Sequence, residues 1–301
     1  RMLEHSIARG SEALRAAGAR VCAFNGPLSG GWLMRRLRLN FRNHRKLVVV
    51  DGRKAWVGGH NVADEYLGKN PKLSPWRDTH VEVTGPCVIG CQLSFAEDWY
   101  WATRDLPELD WRFQRSAAGD KAVLVLPSGP ADMLDTCALA FCQAIERARR
   151  RIWIVSPYFV PDDAVLAALQ LAALRGVDVR VLLPARPDHL LVWLAGFSFL
   201  DETDGVGVKI HHYQQGFLHQ KVVLVDDDLA SVGTANFDNR SFVINFEVTL
   251  FFADRPFAAE VERMLDADFA LSRRITAADL QRRPLYFRVA ARICRLLAPL
   301  L

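Results

Sequence analysis

One pattern constrains this chain more than any other. "HRKLVVVDG" begins at His44 and "HQKVVLVDD" begins at His219. His44, Lys46, Asp51, Gly58 and Asn61 stand at offsets 0, 2, 7, 14 and 17, and His219, Lys221, Asp226, Gly233 and Asn236 repeat those offsets 175 residues later. One H-x-K-x4-D arises by chance in a chain of this length at roughly the few-per-cent level, whereas two copies sharing the later Gly and Asn do not. The chain therefore contains a duplication whose period is about one domain.

The residues around each copy predict its local structure. "KLVVVD" and "KVVLVD" are β-branched runs and read as strands. Asp51-Gly52 signals a tight turn into "KAWVG", and "DDD" leads into "LASVG". Side chains alternate along a strand, so His and Lys share one face, while the Asp sits at an odd offset and serves as a fastener of the hairpin. Gly58-Gly59 and Gly233-Thr234 end the second strand, and Asn61 and Asn236 can re-enter the same pocket. Ahead of the second motif, 121–126 reads as a strand, 131–150 as a helix, then "IWIVS", "DDAVLAALQLAALRG", "VDVRVLL" and "VKIHHY" as strand, helix, strand and strand. Such alternation predicts an α/β layered domain with a mostly parallel sheet. Only 43 residues precede His44, where "ALRAAGARVCAF" resembles the last helix and strand before the motif and "GPLSGGWLMRRLRLNFR" an insertion. The expectation is a first domain over 1–118 lacking its opening units, a second over 119–278, an amphipathic tail over 279–301, and a chain that is a fragment.

Half the residues are hydrophobic and 24% charged, an ordinary soluble balance, and the net charge of +4 is mild. Arg35, Arg36, Arg38, Arg42, Arg45 and Lys46 nevertheless crowd into twelve residues. That strip suits an anionic partner or a solvated face. The six cysteines read as small core residues in a reducing compartment. The longest nearly uncharged run, 190–200, is too short to span a bilayer.

Two His-Lys pairs packed motif to motif would suit a phosphodiester anion. The lysines neutralise non-bridging oxygens. One neutral imidazole attacks phosphorus to form a phosphohistidine, and the other, protonated, protonates the leaving alkoxide. No clustered carboxylate–histidine set suggests a metal, so the expectation is phosphoryl transfer with neither metal nor cofactor.

The paired pattern resembles the phospholipase D superfamily, and within it bacterial cardiolipin synthases. "NHRKLVVVDGRKAWVGGHNVADEYLG", "PWRDTHVEVTGP" and "LSFAEDWYWAT" carry the likeness in the first half. "SPYFVPDDAVLAAL", "LLPARPDH", "GFLHQKVVLVDDDLASVGTANFDNRSFVINFEV" and "RLLAPLL" carry it in the second. The resemblance implies two α/β/α sandwich domains related by a pseudo-two-fold axis, the first truncated, with the site between them. It implies transfer of a phosphatidyl group between phosphatidylglycerol molecules with release of glycerol. Catalytic residues would be His44, Lys46, Asp51, His219, Lys221 and Asp226, with His44 as nucleophile and His219 as acid/base, although the residues alone leave that order open. Glu247 in "NFE" and Asp78 in "WRDTH" match acidic residues that orient such histidines, and with Asn61 and Asn236 would line the substrate site. Family members commonly carry two membrane-spanning helices upstream, which implies the bacterial inner membrane, with the catalytic domains on one face. The alternative is a hydrolytic phospholipase, another phosphatidyltransferase or a nuclease with the same centre. The apolar-basic strip favours an anionic phospholipid and a membrane surface over nucleic acid.

Two further segments point to a bilayer. Trp32, Leu33 and Met34 after a Gly-rich turn suit an interface, and the terminal mixture of Arg282, Arg283, Arg288, Arg292 and Arg295 with leucines suits either an interfacial helix or one packed on the domain. His5, His60, His80, His189, His211 and His212 read as core or surface scaffold, and Tyr158 and Phe159 as packing.

Overall fold

The computed structural model describes residues 11–24, 41–112 and 119–298. Both motifs form the hairpins their β-branched runs require. In the first half β1 (Leu47–Val50) pairs antiparallel with β2 (Lys54–Gly58), and in the second β11 (Val222–Val225) pairs with β12 (Leu229–Gly233) in the same register. The turns bend at Asp51 and Asp226, which take φ of 54° and 50°, and Gly52 follows at 64°. In the first turn two successive positive φ values give the tight turn whose twist matches the flanking strands; in the second only Asp226 takes that region, which aspartate tolerates better than most residues.

The rest of the first half comprises β3 (Trp76–Arg77), β4 (His80–Thr84) and helix α1 (Cys87–Thr103). The second contributes β5 (Ala122–Ser128), α2 (Thr136–Arg147), β6 (Arg151–Val155), β7 (Phe159–Val160), α3 (Asp163–Leu174), β8 (Asp178–Pro184), α4 (Leu190–Phe197), α5 (Leu200–Asp204), β9 (Lys209–Tyr213) and β10 (Phe217–Leu218). After the motif come β13 (Phe237–Asp238), β14 (Glu247–Ala253), α6 (Arg255–Ala270), β15 (Ser272–Ile275), α7 (Ala277–Gln281) and α8 (Leu285–Arg295). Together they make an α/β architecture.

The larger sheet has eight strands in the order β15-β9-β8-β6-β11-β12-β14-β5. It is not mostly parallel, as the strand–helix alternation suggested. Only β6-β8 and β8-β9 run parallel, because only those neighbours are joined by helical crossovers; the motif hairpin and its flanks join antiparallel. The helix expected over 131–150 begins at Thr136. In 13–24 the helix is present to residue 16, but no strand follows, and Phe24 instead packs its ring edge on Phe246.

The smaller sheet has three strands, β1-β2-β4. Its inner face joins the two halves: Ala55, Val57 and Val83 meet Val88 and Cys91 of α1 and Val248, Leu250 and Phe252 of β14 in one buried cluster. Burying each such aliphatic side chain contributes about 1.5–3 kcal/mol, which fixes one half against the other. Cys91, Cys137 and Cys294 are buried, and all six cysteines are free thiols.

Candidate active site

Each motif is docked against the other half of the molecule. The backbone N–H of His44 donates to Phe246 O at 2.9 Å, one residue before Glu247, and that of His219 donates to Arg77 O at 2.8 Å, one residue before Asp78. A parallel bridge between Asn43 and Phe246, and the parallel pairing of β10 with β3, set these registers. The result is a crossed arrangement. His44 Nδ1 lies 2.9 Å from Glu247 Oε1, and His219 Nδ1 lies 2.7 Å from Asp78 Oδ2.

The residue between His and Lys points the other way and anchors the strand. Arg45 is part of no surface strip, contrary to the sequence reading: it donates to the carbonyls of Glu247, Ser94 and Ser128 and pairs with Asp98 at 2.7 Å. Period-two alternation turns it inward, where a buried guanidinium requires such partners. Gln220 is its counterpart, bonding Asp268, which also takes a two-pronged pair from Arg77. His5, Arg35, Arg36 and Arg38, with Trp32, Leu33 and Met34, lie outside the described residues.

Both carboxylates are ionised. Burial pushes Glu247 upward, but His44, Lys46 and the Thr234 hydroxyl outweigh it and leave it below the usual range. Asp78 is likewise lowered, its burial outweighed by the bond to His219 and the charge of Lys221. An ionised carboxylate only accepts, so each imidazole donates from Nδ1 and presents a bare Nε2. Burial also opposes protonation of the imidazoles. His44 is lowered by burial against the attraction of Glu247, and His219 is pushed down to about 3, by burial first and then by Lys221. The two pairs share one electrostatic site: Lys221 lowers His44, and Lys46 lowers His219.

The lysines donate to the carbonyl of their own histidine, Lys46 Nζ to His44 O at 2.7 Å and Lys221 Nζ to His219 O. Desolvation lowers Lys46 to about 8 and Lys221 to about 7. Two ammonium groups held out of water form a place for an anion.

Asp51 and Asp226, counted with the motif among the catalytic residues, are not brought to this centre. Each stands at the far end of its strand, five residues and about 17 Å beyond the lysine. Asp226 accepts backbone N–H groups of Arg149, Arg150 and Arg151 at 2.8–3.0 Å and so ties the hairpin to β6. The two asparagines also diverge. Asn236 is buried with its Oδ1 unpartnered among the described residues, whereas Asn61 is exposed.

Several residues of the site carried no signal in the sequence. Tyr66 donates its hydroxyl to Asp78 Oδ2 at 2.6 Å and lies 3.2 Å from His219 Nδ1. Thr234 donates to Glu247 Oε2 at 2.6 Å, and Asn245 to Oε1 at 3.2 Å. Thr234 has the offset that Gly59 holds in the first copy, where a Cβ would come within 1.9 Å of Asp78 Oδ1. The motif alignment thus contained the difference but not its meaning. Tyr158, read as packing, bonds Asp188 at 2.6 Å, and the charge of Asp188 reaches Lys221. His80, read as scaffold, lies within the field of Asp78 and Lys46. Among the described residues no group of three or more His, Cys, Asp or Glu side chains is placed to hold a metal ion.

Residues 141–269 match the family model described as "Cardiolipin synthase, PLD-like domain". The chain is 55% identical over 293 residues to Cardiolipin synthase A of Pseudomonas putida (strain GB-1), covering 97% of this chain, and 53% identical over 292 residues to that of Pseudomonas fluorescens (strain SBW25), covering 96%. The chain spans about 60% of the length of these curated relatives. Among solved structures, phosphatidylserine synthase of Haemophilus influenzae Rd KW20 superposes with a TM-score of 0.66 at 13% identity, covering 88% of this chain and 72% of that one, a likeness of fold.

Proposed function

We propose that this chain carries the phosphatidyl-transfer centre of a cardiolipin synthase-type enzyme, acting on phosphatidylglycerol at the bacterial inner membrane. The observation that carries the reading is the crossed pairing, which presents two bare imidazole nitrogens beside two desolvated ammonium groups. The similarity to Cardiolipin synthase A supports the substrate class.

In this reading the lysines receive the phosphodiester, and its negative charge raises the proton affinity of both imidazoles. His44 is the nucleophile, having the more accessible side chain, 26% against 9% for His219. Its Nε2 bonds phosphorus as the P–O bond to glycerol breaks, and protonated His219 gives its proton to the departing oxygen. The hydroxyl of a second phosphatidylglycerol then returns a proton to His219 while its oxygen displaces His44. Asn236 meets the substrate from within the pocket and Asn61 from its rim. The halves act as domains over 1–118 and 119–278, with 279–301 as a tail.

Two measurements test this. Supplied with labelled phosphatidylglycerol, the protein yields cardiolipin and glycerol; phosphatidic acid alone would mean hydrolysis instead. A brief exposure to substrate labelled at phosphorus leaves labelled protein in His219→Ala and none in His44→Ala; the reverse pattern exchanges the two roles.

A further inference from the structure

The C-terminal helix presents its apolar residues outward. α8 packs Phe287 edge-on against Trp193 and Phe197 of α4, with Ala291 and Cys294 buried on the same side. At about 100° per residue, Leu285, Tyr286, Val289, Ile293 and Leu296 fall within an arc of roughly 100° on the opposite side. All five are exposed, Leu296 by 81% and Tyr286 by 77%. Arg288 and Arg292 border one edge of that arc. A helix whose outer face meets only water carries charge there.

Beside the start of α8 lies a cavity of about 440 Å³ whose lining includes Arg273, Arg282, Arg283, His212 and Asp279. Asp279 is held by the Thr276 cap and faces Arg273 at 3.5 Å. Among the described residues no carboxylate lies within ion-pair distance of Arg282 or Arg283, so the cavity is net cationic. His212 reports that field: burial first, then Arg273 and Arg283, push it down to about 3. The cavity adjoins β15, four strand positions from β11 and so about 19 Å from the motif strand. It is separate from the His-Lys centre.

We propose that α8 and the Arg273–Arg282–Arg283 cavity form one docking site for an anionic bilayer. The apolar arc enters the boundary between headgroups and acyl chains, and the cavity takes the phosphodiester of one anionic lipid. The occupant follows from complementarity: a rigid apolar stripe edged by arginines beside a cationic cavity matches a surface that is apolar beneath and anionic above. The proposal rests on the phospholipid reading given above and assigns that enzyme a footprint distinct from its catalytic pocket.

Flotation of the 301-residue chain with vesicles tests it. The protein floats with phosphatidylglycerol-containing vesicles and not with pure phosphatidylcholine. Ile293→Asp with Leu296→Asp lowers binding about tenfold or more. Arg282→Gln lowers it about fivefold, and keeps the test decisive should the aspartate variant melt early. Both variants retain turnover of phosphatidylglycerol in detergent micelles, where docking is not required. Unchanged flotation of both overturns the docking site. Absent turnover in the unaltered protein, with flotation intact, overturns the catalytic reading alone. Excess inorganic phosphate, against chloride of equal ionic strength, separates ligand sources: if phosphate protects the arginines from guanidine-directed modification and vesicles do not, the cavity serves free anions and the proposal fails.

Discussion

The two half-sites share a design but not an environment. Around His219 the walls are close: its side chain is 9% exposed, Trp76 and Phe217 lie beside its ring, and Tyr66 closes over Asp78. Around His44 the side chain is 26% exposed, and its acid is the longer Glu247, reached from β14 and held by Thr234. The hydroxyl that steadies the acid comes from the end of the motif hairpin in one half. In the other a glycine stands there, because Asp78 fills the space, and the hydroxyl arrives from the short helical turn at Asp64–Leu67. A duplicated arrangement has thus kept its His, Lys and carboxylate while changing the residues that hold them. In the proposed mechanism the drier side suits the group that must pass a proton without losing it to water, and the more open side suits the group that must reach phosphorus.

Several changes would break or sharpen this contrast. The largest effect is expected for the orienting acids. Asp78→Asn and Glu247→Gln each replace an acceptor by an amide that can also donate, favouring the wrong imidazole tautomer, and should cost up to about 10⁴ in kcat. The Asp78 change should cost more, since His219 has fewer alternative partners in water; equal losses would show that the difference in exposure has no consequence. Next comes Lys221→Met, expected to lower kcat/KM by about 10²–10³. The same change should raise Tm, because a desolvated ammonium is removed from the free protein; a lower Tm would mean the lysine stabilises the fold.

Smaller effects separate the two hydroxyls. Tyr66→Phe and Thr234→Val should each reduce kcat about tenfold, the worth of one charge-assisted hydrogen bond, with KM little changed. Thr234→Val should leave the His219 side untouched, so combining it with Tyr66→Phe should give multiplied losses. The smallest is pH dependence. Desolvation lowers Lys221 to about 7 and Lys46 to about 8, so the free protein loses anion-binding charge as pH rises through 7–8, and kcat/KM should decline several-fold there. Stability should move oppositely. The unfolded chain keeps these lysines protonated up to about 10.4, so it binds more protons than the fold above pH 7, and unfolding free energy rises with pH in that interval. A profile flat to pH 9 would mean that both ammonium groups are better solvated than the geometry implies.

Much of this was legible in the residues. The two hairpins and the shared face of each His-Lys pair follow from β-branched runs and the period of a strand. Other features were hidden by distance or by context. Arg45 looked like part of a cationic strip because its neighbours in sequence are basic, yet alternation turns it inward to Asp98 and three carbonyls. The sheet read as parallel from the order of elements, but order cannot tell a crossover from a hairpin chain that returns along the same edge. Asp51 and Asp226 share the motif's spacing, and that spacing is what carries them to the far end of the strand.

By itself the sequence determined which side chains come in pairs, His with Lys, and that there are two such pairs, because strand geometry is local and each copy encodes it completely. Which carboxylate serves which histidine was decided only by the tertiary structure. His44 meets Glu247 across 203 residues and His219 meets Asp78 across 141, so each contact depends on how one half docks on the other. Desolvation, which sets the charge state of all four groups, is likewise a property of that docking, since no residue is buried until its distant neighbours are in place.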